Sequence, residues 1–234
     1  MPQPIEGPPP LEELDRDGAI RETADRAGIS RSRLLRTGAL AAGGLAIGAV
    51  PVALSVAQDG GLPKSDVDIL NYALTLEYLE AAFYAAAAKA GYPDADIAAA
   101  ATKLAAHEAA HVAALKKVLG RAAVKAPTVN LDTVGKLLAD QVTFIKTAAA
   151  IEPVGTAAYA GAGPYINNLA IVKAALSIHS VEANHAAYTA ALVKFKGIDA
   201  NADPIPNAFN PANSFTKTVG IVTKLNVVKG DLQP

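Results

Sequence analysis

The chain has 234 residues, which suits one domain with additions, and it contains no Cys, so disulfides, thiolate metal sites and cysteine nucleophiles are excluded. Apolar residues make up 51% and aromatics only 5%; the excess is alanine, the best helix former, as closely packed helices require. A net charge of −1 argues against a nucleic-acid partner.

Residues 1–29 read as a disordered extension, with Pro2, Pro4 and Pro8 to Pro10 among acidic side chains. Residues 30–57 read as an export signal or membrane anchor. Ser30-Arg-Ser-Arg-Leu-Leu-Arg36 supplies positive charge, and Thr37 to Ala57 then runs 21 residues without a charge. Ser55-Val-Ala57 is a small-x-small pattern that fits cleavage before Gln58. Ser30, Arg31, Leu34, Leu35 and Arg36 resemble a twin-arginine translocation signal, with Ser32 where the second arginine belongs. Left uncleaved, residues 34–57 would provide contact with a membrane; a buried helix is the plainer alternative. The expected location is the periplasm, the cell envelope or the cell exterior, and the lack of Cys suits an oxidising compartment.

Residues 58–64 read as a linker and residues 65–197 as a four-helix bundle. The first helix begins at Ser65 and reaches about Ala90, with Leu70, Leu74, Glu77 and Ala81 on one face; Gly91 stops it. The second runs from Pro93 and Asp94 to about Leu119, with Lys116 and Lys117 in its last turn and Gly120 beyond it. Residues 120–130 then form a connection that extends to ~36 Å, against ~39 Å for a helix of roughly 26 residues. It can nearly traverse the bundle, so the third helix can run parallel to the second, with a pseudo-two-fold axis relating the halves. The third helix starts near Leu131 or Asp132 and ends at Gly161-Ala-Gly-Pro164, and Pro153 inside it predicts a kink. The fourth spans about Tyr165 to Lys196, before Gly197. Residues 198–234 read as a tail packed on the bundle. The fold class is all-α: a four-helix bundle with a long helix 2–3 crossover.

The chemistry lies in a pseudo-repeat. Glu108 and His111 are three residues apart and share a helix face with Leu104, Val112 and Leu115. Glu182 and His185 repeat the spacing. Upstream, Glu77 precedes Tyr84 and Glu152 precedes Tyr159 by the same seven positions. Glu77 to Glu108 is 31 positions, and Glu152 to Glu182 is 30. One Glu on a helix and Glu-x-x-His on the next, twice over, is the ligand pattern of a di-metal carboxylate site.

Plainer readings compete. A single Glu-x-x-His pair is usually a solvated ion pair. His107-Glu-Ala-Ala-His111 also matches the zinc-protease pattern, but the second copy has Val181 in place of His107. His107 and His179 therefore read as outer or surface histidines rather than ligands. Glu80 stands one turn from Glu77 and aligns with Gly155, so it has no counterpart in the repeat. Tyr84 and Tyr159 either hydrogen-bond near the metals or fill the core.

Leu70-Asn-Tyr-Ala-Leu-Thr-Leu-Glu-Tyr-Leu-Glu-Ala-Ala-Phe-Tyr84, His107-Glu-Ala-Ala-His111 and Val181-Glu-Ala-Asn-His-Ala-Ala-Tyr188 together resemble the ferritin-like domain family that includes desiccation-related and exported bacterial proteins. The resemblance covers roughly residues 65–197. It implies Glu77, Glu108, His111, Glu152, Glu182 and His185 as ligands of two metal ions, Fe or Mn in preference to Zn. It implies Glu108 with Glu152, or Glu152 with Glu182, as the bridging pair; Pro153 departs from the polar residue common after the third-helix Glu. The expected function is an exported di-metal protein reacting with O2 or H2O2, or oxidising metal ions, as a di-iron or di-manganese oxidoreductase. The alternatives are a non-enzymatic stress or envelope scaffold with a structural or vestigial site, and a storage cage, which the tail and export segment disfavour. A homodimer is compatible with the sequence.

Overall fold

The computed structural model describes residues 64–230. The expected N-terminal extension and export segment, and the linker up to residue 63, lie outside the described residues. Four long helices form the bundle: α1 (Lys64–Ala87), α2 (Ala95–Leu119), α4 (Gln141–Ala162) and α5 (Leu169–Phe195). A short α3 (Leu131–Leu137) lies in the crossover, and α6 (Phe215–Leu225) in the tail. Among the described residues there is no strand, only an isolated antiparallel bridge between Val129 and Val228, and no helix is long and apolar enough to cross a membrane.

Local chemistry sets the boundaries. Asp94 caps α2 by accepting from the Asp96 and Ile97 amides. The third bundle helix starts ten residues later than expected from Leu131, because Asp140 interrupts the run. Its carboxylate accepts from the Val142 and Thr143 amides and the Thr143 hydroxyl, which caps a new helix and leaves Leu131–Leu137 separate. α4 then continues through Pro153, which is exposed on its outer face. Gly91 and Gly197 follow α1 and α5 with φ of 69°, a left-handed turn that glycine makes without Cβ strain.

The core is layered along the bundle. One apolar layer joins Phe83, Tyr84 and Ala87 of α1 to Ile97, Ala101 and Leu104 of α2, Phe144, Ile145 and Ala148 of α4, and Val193 of α5. The other joins Leu70 and Leu74 to Leu115 and Leu119, Tyr159, Ile171 and Ile178. The start of α1 thus meets the ends of α2 and α4, and the start of α5 meets the end of α4. α1 is therefore antiparallel to both α2 and α4, which makes α2 and α4 parallel and requires the crossover to traverse the bundle. Asn71 and Tyr78 hold its first turn through hydrogen bonds to the backbone of Ala122 and Val124.

The tail covers the α1–α4 face. Val222 of α6 packs with Leu76 and Ala158, and Phe215 meets Tyr72 at a ring-centroid distance of 4.9 Å. Asn213 donates its amide to the Ala157 carbonyl at 2.8 Å. A Cβ on Gly161 would fall 1.9 Å from the Asn213 carbonyl oxygen, so this approach requires glycine.

Candidate metal centre

Between the two apolar layers, each long helix turns polar groups inward. Glu77 comes from α1, Glu108 and His111 from α2, Glu152 from α4, and Glu182 and His185 from α5. Glu108, Glu152 and Glu182 are 0% exposed and Glu77 is 1%. Drying a carboxylate costs several kcal/mol, roughly, and a fully buried Leu or Ile returns only about 1.5–3 kcal/mol. Four such carboxylates in one layer therefore need partners of opposite charge.

The structure brings all six residues together. His111 Nδ1 lies 3.0 Å from Glu108 Oε2, 3.1 Å from Glu77 Oε2 and 3.2 Å from Glu182 Oε1. His185 Nδ1 lies 3.1 Å from Glu108 Oε1, 3.4 Å from Glu152 Oε2 and 3.9 Å from Glu182 Oε1. Two sets of ligand atoms, each within 4.8 Å of one another, could hold an ion: Glu77, Glu108, His111 and Glu182; and Glu108, Glu152 and His185. Glu108 belongs to both, one oxygen facing each imidazole, and Glu182 Oε1 lies between the two histidines. Glu108 is thus the carboxylate common to both sets, while Glu182 and Glu152 each belong to one. Tyr84 holds Glu152 Oε1, leaving Oε2 toward the cluster.

The tyrosines are exchanged between the halves. Tyr84 of α1 donates to Glu152 Oε1 of α4, and Tyr159 of α4 donates to Glu77 Oε1 of α1 at 2.6 Å. Seven residues are two helical turns, so in antiparallel helices each Tyr comes level with the other helix's Glu. Burial, and then the adjacent carboxylate, pushes both phenols well above their usual pKa and keeps them as donors.

The imidazoles carry the positive charge. Burial alone would lower His111, but its contacts with Glu108, Glu182 and Glu77 reverse this and push it up to about 12. His185 is likewise pushed up to about 10 by Glu108 and Glu152 against the effect of burial. Glu108 is lowered despite its burial, by His111 and His185. Burial raises Glu77 to about 8 and Glu152 to about 7, and it raises Glu182. The cluster therefore holds protons where cations would otherwise stand.

Two residues outside the repeat join the site. His107 Nδ1 lies 2.8 Å from His185 Nε2. Burial, and then His185 and His111, lowers the His107 pKa, so its neutral ring accepts the His185 Nε2 proton. His107 thus orients His185 and belongs to neither set of candidate ligand atoms, which is not the arrangement of a zinc-protease helix. Glu80 is the second. Burial, and then Glu182, Glu152, Glu108 and Glu77, raise its pKa well above the carboxylate range. Its neighbour is Gly155, where a Cβ would fall 2.8 Å from Glu182 Oε2 and 3.2 Å from Glu80 Oε1. The repeat gave no reason to include Glu80, because its counterpart is a missing side chain. His179 stays apart, with Nδ1 buried and unpartnered.

The donor set suits metal ions. Glu108 Oε1, Glu152 Oε2, both Glu182 oxygens and His185 Nδ1 are buried without a hydrogen bond, the ion-pair contacts above falling outside hydrogen-bond geometry. Buried polar atoms are rarely left so, and all of these but Glu182 Oε2 face the two imidazoles or the carboxylates around them. Searches of curated proteins give no match. A family model described as a ferritin-like domain matches residues 65–194, from the first turn of α1 to the last of α5. That span is more than half of the chain and carries every member of the cluster, and the chain belongs to the ferritin-like domain family.

Proposed function

We propose that the bundle holds two redox-active metal ions, Fe or Mn, and reacts with O2 or H2O2 or oxidises metal ions. The observation that carries this reading is the convergence of four unpartnered buried donor atoms, Glu108 Oε1, Glu152 Oε2, Glu182 Oε1 and His185 Nδ1, from three helices, with Glu108 facing both imidazoles. Glu77, Glu108, His111 and Glu182 would hold one ion, and Glu108, Glu152 and His185 the other. Four carboxylates and two imidazoles form a hard, oxygen-rich set that suits Fe and Mn better than Zn. Such a pair of ions supplies one-electron redox chemistry and coordination positions for a small oxidant.

The chain's own residues set that chemistry. Tyr159 and Tyr84 each occupy one oxygen of Glu77 and Glu152 and leave the other facing inward. His107 keeps a proton on His185 Nε2, so the free donor of His185 is Nδ1, on the cluster side. The apolar layers on either side exclude bulk water. Export, by the signal in residues 30–57 cleaved or retained as an anchor, belongs to this proposal, as do the membrane contact through residues 34–57 and a homodimer.

Metal analysis of the chain purified without chelator tests the reading. About two equivalents of Fe or Mn per chain are expected. A metal-free protein that takes up none on reconstitution removes it. The burial of three carboxylates to 0% exposure favours a second reading, in which bound ions are structural in a non-enzymatic scaffold. Two bound ions with no turnover of O2 or H2O2 would select it.

A further inference from the structure

Glu182 presents two buried oxygens without a hydrogen bond. Oε1 faces the histidines. Oε2 points the other way, toward α4, where the absence of a side chain at Gly155 leaves space. Glu80 reaches the same space from α1, with Oε1 3.2 Å and Oε2 3.6 Å from the position a Cβ would take. Two acidic side chains thus converge on bare helix backbone. Gly in a helix interior costs about 0.5–1 kcal/mol relative to Ala, so this opening is held against local preference. Glu80 is not wedged in place. It and Gly155 line a largely apolar cavity of about 60 Å³, together with Leu76, Val134, Thr147 and Val222, so the carboxylate has room to move.

We propose that Glu80 is a seventh ligand, reaching the metal ion beside Glu182 across the backbone of Gly155. The inference rests on the di-metal reading above. It extends the ligand set beyond the six positions of the repeat and gives the two ions unequal surroundings. The ion served by Glu77, Glu108, His111 and Glu182 gains a further oxygen, and the ion served by Glu152 and His185 does not.

Titration of metal-free full-length protein with Co2+, followed by calorimetry and visible absorption, tests this. Wild type takes up two ions. Glu80→Gln takes up two, one of them at least about tenfold more weakly, the scale on which even outer carboxylates around a metal register. The cobalt absorption of that ion gains intensity as its coordination number falls. Gly155→Ala shifts both readouts the same way, because its methyl displaces the two carboxylates. The melting temperature of metal-free Glu80→Gln stays equal or rises, since one acid has been removed from a crowd of acids. Unchanged affinities and spectrum in Glu80→Gln overturn the proposal. So does a lowered metal-free melting temperature accompanied by equal weakening of both ions, the mark of a structural role. A wild type that takes up no ion overturns the metal centre itself, and the role of Glu80 with it.

Discussion

The two halves of the bundle, α1–α2 and α4–α5, carry the same Glu, His and Tyr side chains at nearly the same spacing, yet they differ in what surrounds them. Glu77 matches Glu152, Glu108 matches Glu182, His111 matches His185, and Tyr84 matches Tyr159. Outside this set the match fails. The first half has Glu80 where the second has Gly155, and His107 where the second has Val181. Each excess in the first half acts on the second: Glu80 approaches Glu182, and His107 holds His185. Symmetry governs the donor atoms, and asymmetry governs how they are oriented and screened.

The largest break in this relation comes from the residue both sites share. Glu108→Ala is expected to abolish binding of two ions, whereas Glu152→Ala is expected to spare the ion at Glu77, Glu108, His111 and Glu182; metal stoichiometry after dialysis separates them. A variant Glu108→Ala that retained two ions would end the di-metal assignment. His107→Ala should act on one side only. It removes the partner of His185 Nε2 and is expected to weaken the ion at Glu152 and His185 by about 10–100-fold, with the other affinity unchanged in the same calorimetric titration. Equal weakening of both sites would show that His107 supports the bundle as a whole.

Acidity sharpens the comparison with the smallest effect. Glu77 is raised from 4.5 to about 8 and Glu152 from 4.5 to about 7, so between these limits the native metal-free chain binds more protons than the unfolded one. That contribution is full below the ordinary carboxylate value and is lost as pH rises through 7 and 8. His185 and His111, raised from 6.5 to about 10 and 12, extend the loss to higher pH. Glu108 has the opposite sign: it is held low, so its contribution disappears as the solution is acidified below 4.5. Urea unfolding of metal-free protein is expected to show greatest stability near pH ~5 and a decline toward pH ~9. Metal loading should reverse that slope, because ions bind the deprotonated ligands. A metal-free protein most stable at pH ~9 would contradict the proton inventory of the cluster.

The cluster residues were legible because a repeated constellation is self-checking: Glu108 and His111 alone mean little, and Glu182 and His185 repeat the pattern. The parallel run of α2 and α4 was legible from the length of the connection. The pairing of Tyr84 with Glu152 was not, because two residues on one helix do not reveal which way the facing helix runs. Glu80 escaped for a different reason. Comparison between halves rewards side chains that recur, and Glu80 depends on one that is absent. The break before Gln141 turns on Asp140, whose capping role shows only once the preceding turn is seen to end. Ser214, which caps α6 through the Lys217 amide, is a readable start signal within the C-terminal tail.

The exchange of tyrosines has a consequence for quality control. Each hairpin supplies the hydrogen bond that completes the other's carboxylate, so neither hairpin contains a finished cluster. A chain clipped in the crossover, or stalled with one hairpin formed, is left with acids unsupported on one side. On the di-metal reading proposed above, an ion that requires the complete donor set would find it only in a bundle that has closed.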